Sequence, residues 1–259
     1  MTEHHAAVAL IVATDTEENA VKHMYSWTLH TFAGEAQLYY EACFTRGGKE
    51  HRMVYARQNE MGMVAAAVLS TKLIGHYQPR YLIMVGIAAG IAGSDMDEQI
   101  YGDVNVADLV WNYSAGKFVP TERAEICYGN VGFIPRPTML RVCEDVRPYV
   151  EAAAASPENQ CHIHIGPIAC GAAVVANSEV LEKQVRSQLR RTVALDMESY
   201  AVVYAAENAA APRPIPLIIK SVCDYADAQK SDQYQKFAAF TSCEFAKLLY
   251  EKFLPLECP

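Results

Sequence analysis

The sequence predicts an α/β fold, a β-sheet covered by helices on both faces. Short apolar runs of strand length alternate along the chain with longer segments of helical periodicity, a pattern that builds a largely parallel sheet. No Pro/Gly/Ser-rich linker, internal repeat or low-complexity tract divides the 259 residues, so one domain is expected over residues 1–259. The acidic and glycine-rich segments fall at the ends of the strand-like runs, where open α/β sheets hold their ligands.

The elements follow in order. Residues 8–13 read as a strand that ends in the acidic turn Asp15, Glu17, Glu18. Residues 60–76 read as a helix after a glycine-containing turn, with Val64, Val68, Leu69 and Leu73 at helical spacing. Pro79 then punctuates, and residues 81–85 form a buried strand running into a turn, Gly86-Ile-Ala-Ala-Gly90. Residues 103–110 and 166–170 read as further strands. Residues 196–210 are helical, with Met197, Ala201, Tyr204 and Ala205 on one face. Residues 216–222 are a strand, and residues 234–253 a helix carrying Phe237, Phe240, Phe245 and Leu248.

Composition narrows the class. About half the residues are apolar, enough for a sizeable core. A formal charge of -8 argues against nucleic acid and membrane surfaces as partners, since both call for a basic face. An anionic small molecule stays open, because a few placed cations suffice to hold it. The eight cysteines are scattered without a C-x-x-C pair, which reads as reduced thiols in a cytoplasm. His162 and His164 alternate, but no Cys or acidic cluster stands beside them in sequence, so neither a metal centre nor a cofactor is expected. The apolar run 6–13 is flanked by acids on both sides and is no signal peptide, and the run 81–93 is too short to span a bilayer.

Three segments invite chemistry, and each has a plainer use. Gly86 to Gly90 would let backbone N–H groups approach a ligand, or merely let a helix pack closely. Asp196-Met-Glu198 places acids at a helix start, where the dipole favours them in any case. Asp224 follows an apolar strand and could cap the next element.

Taken together they resemble the nucleoside phosphorylase / nucleosidase superfamily, and within it the methylthioadenosine/S-adenosylhomocysteine nucleosidases. The matching segments are Val12-Ala-Thr-Asp-Thr-Glu17-Glu, Glu60-Met-Gly-Met-Val-Ala-Ala66, Val85-Gly-Ile-Ala-Ala-Gly-Ile91, Gly102-Asp-Val-Asn-Val-Ala-Asp108, Gly166-Pro-Ile-Ala-Cys-Gly-Ala-Ala-Val-Val-Ala176, Leu195-Asp-Met-Glu198 and Ile219-Lys-Ser-Val-Cys-Asp224-Tyr-Ala-Asp227. They keep the family's order and span nearly the whole chain. The resemblance implies a three-layer α/β sandwich, nucleoside phosphorylase-like, around a mixed twisted sheet. It further implies a homo-oligomer, dimeric or dimer-based, acting on a small-molecule purine nucleoside or nucleotide. On it, Asp224 protonates N7 of the leaving purine, Glu198 grips the ribose hydroxyls, and Glu17 orients or deprotonates the attacking water. Met197 lies under the sugar, Tyr234 packs on the ligand, and Val174, Val175, Cys223, Ala88 and Met61 complete the substrate contacts.

Physical chemistry agrees with that division. Cleaving a C1′–N9 bond makes an oxocarbenium-like sugar and a purine anion. A carboxylic acid kept protonated by burial relieves the leaving group. A second carboxylate, kept ionised, stabilises the sugar cation, and a third acts on water.

The chain also departs from the family. Phosphorylases of the superfamily carry an Arg and a Ser/Thr around the glycine matched by Gly86; here those positions are Met84 and Ile87. Phosphate oxygens facing them would lose hydration without gaining partners, at several kcal/mol. Water is therefore expected as nucleophile. Lys220 stands where the nucleosidases have Arg, Cys223 where they have Ser, and Ala172 where they have Asp. Trp111, Tyr113 and Lys117 follow a strand whose loop lies near the substrate's 5′ end in the family; they are expected either to read a 5′ group there or to serve as core aromatics and a solvated lysine.

Overall fold

The computed structural model describes residues 5–91, 98–128, 131–142 and 144–256. Cys143, Cys258 and the end of the apolar run 81–93 lie outside them. Strand β1 (Val8–Val12) leads into helix α1 (Asp15–Lys22). A meander follows: β2 (Thr28–His30), β3 (Tyr39–Arg46) and β4 (Lys49–Arg57). Next come α2 (Met63–Tyr77), β5 (Tyr81–Gly90) and β6 (Val104–Asn112). Strands β7 (Gly116–Val119), β8 (Ile126–Tyr128) and β9 (Val131–Pro135) form a separate small sheet. The chain continues through β10 (Met139–Arg141), α3 (Arg147–Ala154) and β11 (Ile163–Cys170). The single turn α4 (Ser178–Val180) precedes β12 (Ala194–Asp196), α5 (Ser199–Glu207), β13 (Ile215–Asp224) and α6 (Gln235–Leu248).

The main sheet runs β10-β6-β11-β12-β5-β1-β4-β3-β2, and β13 pairs with both β5 and β6. That double pairing closes β5, β13, β6, β11 and β12 into a ring. Pairing is parallel between β1 and its neighbours β4 and β5, and between β5 and β13. It is antiparallel between β5 and β12, β6 and β13, and along the β2–β4 meander. The sheet is thus mixed, as the family resemblance implies, rather than largely parallel.

Both faces of the sheet are covered, which explains why its inner strands read as unbroken apolar runs. Alternate residues of β1 serve opposite layers. Ala9 and Ile11 pack with Leu69 and Leu73 of α2 and Val202 and Val203 of α5. Val8, Leu10 and Val12 pack with Val21 of α1, Val150 of α3 and Phe245 of α6. Each fully buried Val, Leu or Ile stabilises the fold by roughly 1.5–3 kcal/mol. A third cluster around Trp111, Tyr113, Val175, Leu195 and Ala226 fills one end of the ring.

Several expectations change. Gly86 to Gly90 is not a turn but the second half of β5, held there by β13 and β12 on its two sides. In α2 the buried positions are Ala66, Leu69, Ser70, Leu73 and Tyr77, while Val64 and Val68 face outward. Tyr204 of α5 and Phe237 and Phe240 of α6 are likewise exposed. Small residues, Ala238, Ala239 and Ser242, take the buried face of α6 and let it approach the sheet closely. The six described cysteines form no disulfide. Among the described residues no helix is long and apolar enough to cross a membrane.

The faces of α2 predict opposite mutational outcomes. Leu69→Ala should cost about 2–5 kcal/mol in urea unfolding, whereas Thr71→Ser, at an exposed position of the same helix, should stay within about 0.5 kcal/mol of the parent.

Candidate active site

Glu17 enters the site as the third helical residue of α1. Its backbone N–H donates to Thr14 Oγ1 at 3.2 Å, and its carboxylate reaches back to the N–H groups of Ala13 and Thr14 at 2.6 and 2.9 Å. This is a capping box, in which the acid satisfies the helix's own orphan donors. Here it does more. Its other oxygen accepts the Ile87 N–H at 2.8 Å and lies 3.5 Å from Lys220 Nζ. The approach needs a glycine at 86: with φ at +150°, a Cβ there would lie 1.8 Å from Glu17 Oε1. The close backbone approach expected of a ligand at Gly86 is made by the Glu17 carboxylate instead.

Lys220 sits in the middle of β13 and is 1% exposed. Its Nζ is 3.5 Å from Glu17 and 3.9 Å from Asp196. Burial opposes its charge, but Glu17, Asp196 and Glu198 outweigh burial and hold the ammonium above the usual lysine range. The two acids of Asp196-Met-Glu198 divide their tasks. Asp196 caps α5, accepting the Ser199 N–H and the Ser199 hydroxyl, the latter at 2.7 Å. Glu198 turns into the cavity, taking the Gly62 N–H at 2.7 Å and Gln58 Nε2 at 3.4 Å. Burial, reinforced by Asp196 and Glu17 and opposed by Lys220, pushes Glu198 up to about 7. The plain helix-start reading therefore holds for Asp196 but not for Glu198. The expectation of a fully ionised Glu198 also changes: it sits at the edge of ionisation near neutrality.

Asp224 ends β13 just past a register shift between Val222 and Asp224, which re-aims its side chain. Its carboxylate accepts the Ala226 N–H at 2.9 Å, and Cys223 Sγ donates to it at 3.3 Å. Burial first, then the Asp224 charge, pushes the Cys223 thiol up, so the thiol stays a donor. The Lys230 ammonium is hydrogen-bonded to the same Asp224 oxygen. That cation was not foreseen; nothing marks one lysine of a polar loop as the partner of a buried acid.

These groups share a cavity of about 250 Å³. Glu17, Glu198 and Asp224 line it, with Met197, Val174, Val175, Cys223, Ala88 and Met61. Tyr234 does not; it stacks on Tyr101 with ring centroids 3.9 Å apart, and Gln235 lines the cavity in its place. Trp111 and Tyr113 are core aromatics, and Lys117 is exposed on β7. Gln58, unforeseen, is 1% exposed beside Glu198, and its Oε1 has no protein partner. The cue for Lys220 was in the sequence, since a lone cation inside an apolar strand needs buried anions.

Two outcomes follow. Gly86→Ala should destabilise the fold by more than about 1–3 kcal/mol in chemical unfolding, from backbone strain and collision with Glu17. For Glu198, a folded value of about 7 lies above the ordinary 4.5, so its contribution to stability is full below pH 4.5 and is lost as pH rises through 7. Glu198→Gln should therefore be the more stable protein at pH 8, by about 1–3 kcal/mol, and converge on the parent near pH 5, as read by melting temperature against pH.

Known proteins resemble this chain over most of its length. The model of the phosphorylase superfamily matches residues 7–253. An uncharacterized protein of Sinorhizobium fredii is 33% identical over 85% of this chain and 54% of its own length. ATP nucleosidase Cap17 of Escherichia coli is 24% identical over 69% of this chain and 37% of its own. The chain thus spans about half or less of the length of these curated relatives. Among solved structures, the 5′-methylthioadenosine/S-adenosylhomocysteine nucleosidase of Neisseria meningitidis, in complex with methylthio-immucillin-A, matches in fold with a TM-score of 0.74. That match has 24% identity and covers 95% of this chain and 99% of the other. The chain belongs to the phosphorylase superfamily.

Proposed function

We propose that the chain hydrolyses the N-glycosidic bond of a purine nucleoside or nucleotide, releasing the free base, adenine foremost. The observation that carries the reading is the convergence of Glu17, Glu198 and Asp224 on one cavity, each in a different electrostatic setting. Glu198 holds the ribose hydroxyls and counters the positive charge that grows on the sugar. The Asp224–Lys230 pair supplies the proton to the leaving base. The Asp224 carboxylate passes a proton from the Lys230 ammonium to the purine nitrogen, and the amine left behind, 24% exposed, regains its proton from solvent. Glu17 orients and deprotonates the attacking water.

Water rather than phosphate is the nucleophile in this reading. Met84 is fully buried, and the Ile87 N–H already belongs to Glu17, so neither position is free to hold a phosphate. Lys230 is the only basic side chain on the described lining, and it is engaged with Asp224, while the rim residues Met61 and Val174 are apolar and exposed. This favours a neutral 5′ group over a polyphosphate, even though one relative is an ATP nucleosidase. We further infer a dimer, with Val64 and Val68 of α2 and Tyr204 of α5 as its apolar surface, in a cytoplasmic setting.

The protein incubated with methylthioadenosine, S-adenosylhomocysteine, adenosine, AMP or ATP should release adenine without added phosphate. Release that requires phosphate would establish phosphorolysis instead, and a ligand recovered intact would establish a binding module. Asp224→Asn should lower the rate by about 10²–10⁴-fold while leaving the melting transition in place.

A further inference from the structure

We propose that Asp103, His162 and His164 form a binding site for a divalent d-block cation of the zinc class, at the shared start of β6 and β11. His162 and His164 are alternate residues of one extended segment and so share a face. Val104 of β6 pairs with Ile163 of β11, which sets Asp103 beside His162. The acid that the local sequence lacks thus arrives from 61 residues before His164.

Three donor atoms converge, all within 4.8 Å of one another. His164 Nε2 lies 3.0 Å, and His162 Nδ1 3.8 Å, from the same Asp103 oxygen. A tetrahedral ion with bonds of about 2.0–2.2 Å needs its donors about 3.2–3.6 Å apart, so small side-chain rotations complete the site. Two imidazoles and one carboxylate suit zinc or cobalt; magnesium and calcium prefer oxygen alone.

The surroundings fit an ion that enters from solvent. The Asp103 and His164 side chains are 5% and 6% exposed, whereas His162 is 56% exposed. The Ile100 N–H donates to Asp103 at 3.0 Å and fixes the carboxylate. Asp103 and His162 line a cavity of about 600 Å³ that also carries Glu244, which leaves a fourth position open. Asp103 is tied to the catalytic strand as well. Its carbonyl accepts the Val222 N–H at 2.9 Å, two residues before Asp224. An ion at this point links β11, β6 and the end of β13, so its binding energy adds to fold stability.

Chelator-treated protein titrated with cobalt chloride should develop ligand-field absorption bands at one equivalent, and zinc chloride should raise its melting temperature. His162→Ala removes an exposed ligand and should keep the fold. It should weaken cobalt binding by about 10–100-fold and abolish the zinc-induced shift. His23→Ala, at an exposed histidine elsewhere, should change neither. Absence of the bands with cobalt in excess, or equal binding by the parent and His162→Ala, would overturn the site and leave a plain carboxylate–imidazole hydrogen bond.

Discussion

One buried cation organises the catalytic end of the molecule. The Lys220 ammonium lies inside the protein, with Glu17 and Asp196 within 4 Å and Glu198 close enough to bear on its charge. At an effective dielectric near 20, each of the two short pairs is worth on the order of 4 kcal/mol. Taking each ion out of water costs several kcal/mol. A single positive charge offsets that cost for one carboxylate, or nearly for two, but not for three. Asp196 and Glu198 both give way, each raised first by burial, and Glu198 reaches about 7. Glu17 is held by three backbone N–H groups besides the lysine, and Asp196 by Ser199. The shortage of positive charge thus falls in part on Glu198, at the cavity wall.

The backbone is shaped around the same constraint. Gly86 has no side chain because the Glu17 carboxylate occupies that space, and β5 passes straight through the point where a loop was expected. Closing β5, β13, β6, β11 and β12 into a ring brings the ends of β12 and β13 to one mouth, so Glu198 and Asp224 face a common cavity. The shift in β13 then turns Asp224 inward while its neighbour Cys223 keeps contact with it.

What the sequence made legible follows from the range of each interaction. The strands covered on both faces, β1, β5, β6, β11 and β13, show as largely apolar runs because most of their positions are buried. The β2–β4 meander and the β7–β9 sheet do not, because charged residues interrupt β3 and β4, and β7, β8 and β9 are only three to five residues long. Helices α2, α5 and α6 were legible as helices, whereas α1 reads in the sequence as an acidic turn; α2 carries apolar residues around its whole circumference, so periodicity alone could not say that Leu69 is buried and Val64 is not. The cavity's acids were legible through family segments. Their partners were not: the Ile87 N–H meets Glu17 across 70 residues, and Lys230 meets Asp224 through a loop whose path no local propensity dictates. Tyr234 shows the converse error, a residue of suitable type at a suitable position that stacks on Tyr101 and turns away from the cavity.

The choice of lysine at position 220 now has a physical reason. An arginine fork is planar and commits its donors to one carboxylate in a bidentate pair. An ammonium is a compact charge and can stand between several acids at once. At 3.5 and 3.9 Å from two of them it serves as a shared counter-charge and claims neither exclusively. That leaves Glu17 free to be oriented by its backbone donors and leaves Glu198 under-compensated. With an arginine the charge would be drawn toward a single partner, and the remaining acids would need other donors or would stay protonated. The lysine, a departure from the nucleosidase pattern in sequence, therefore acts as the counter-charge that Glu17, Asp196 and Glu198 share.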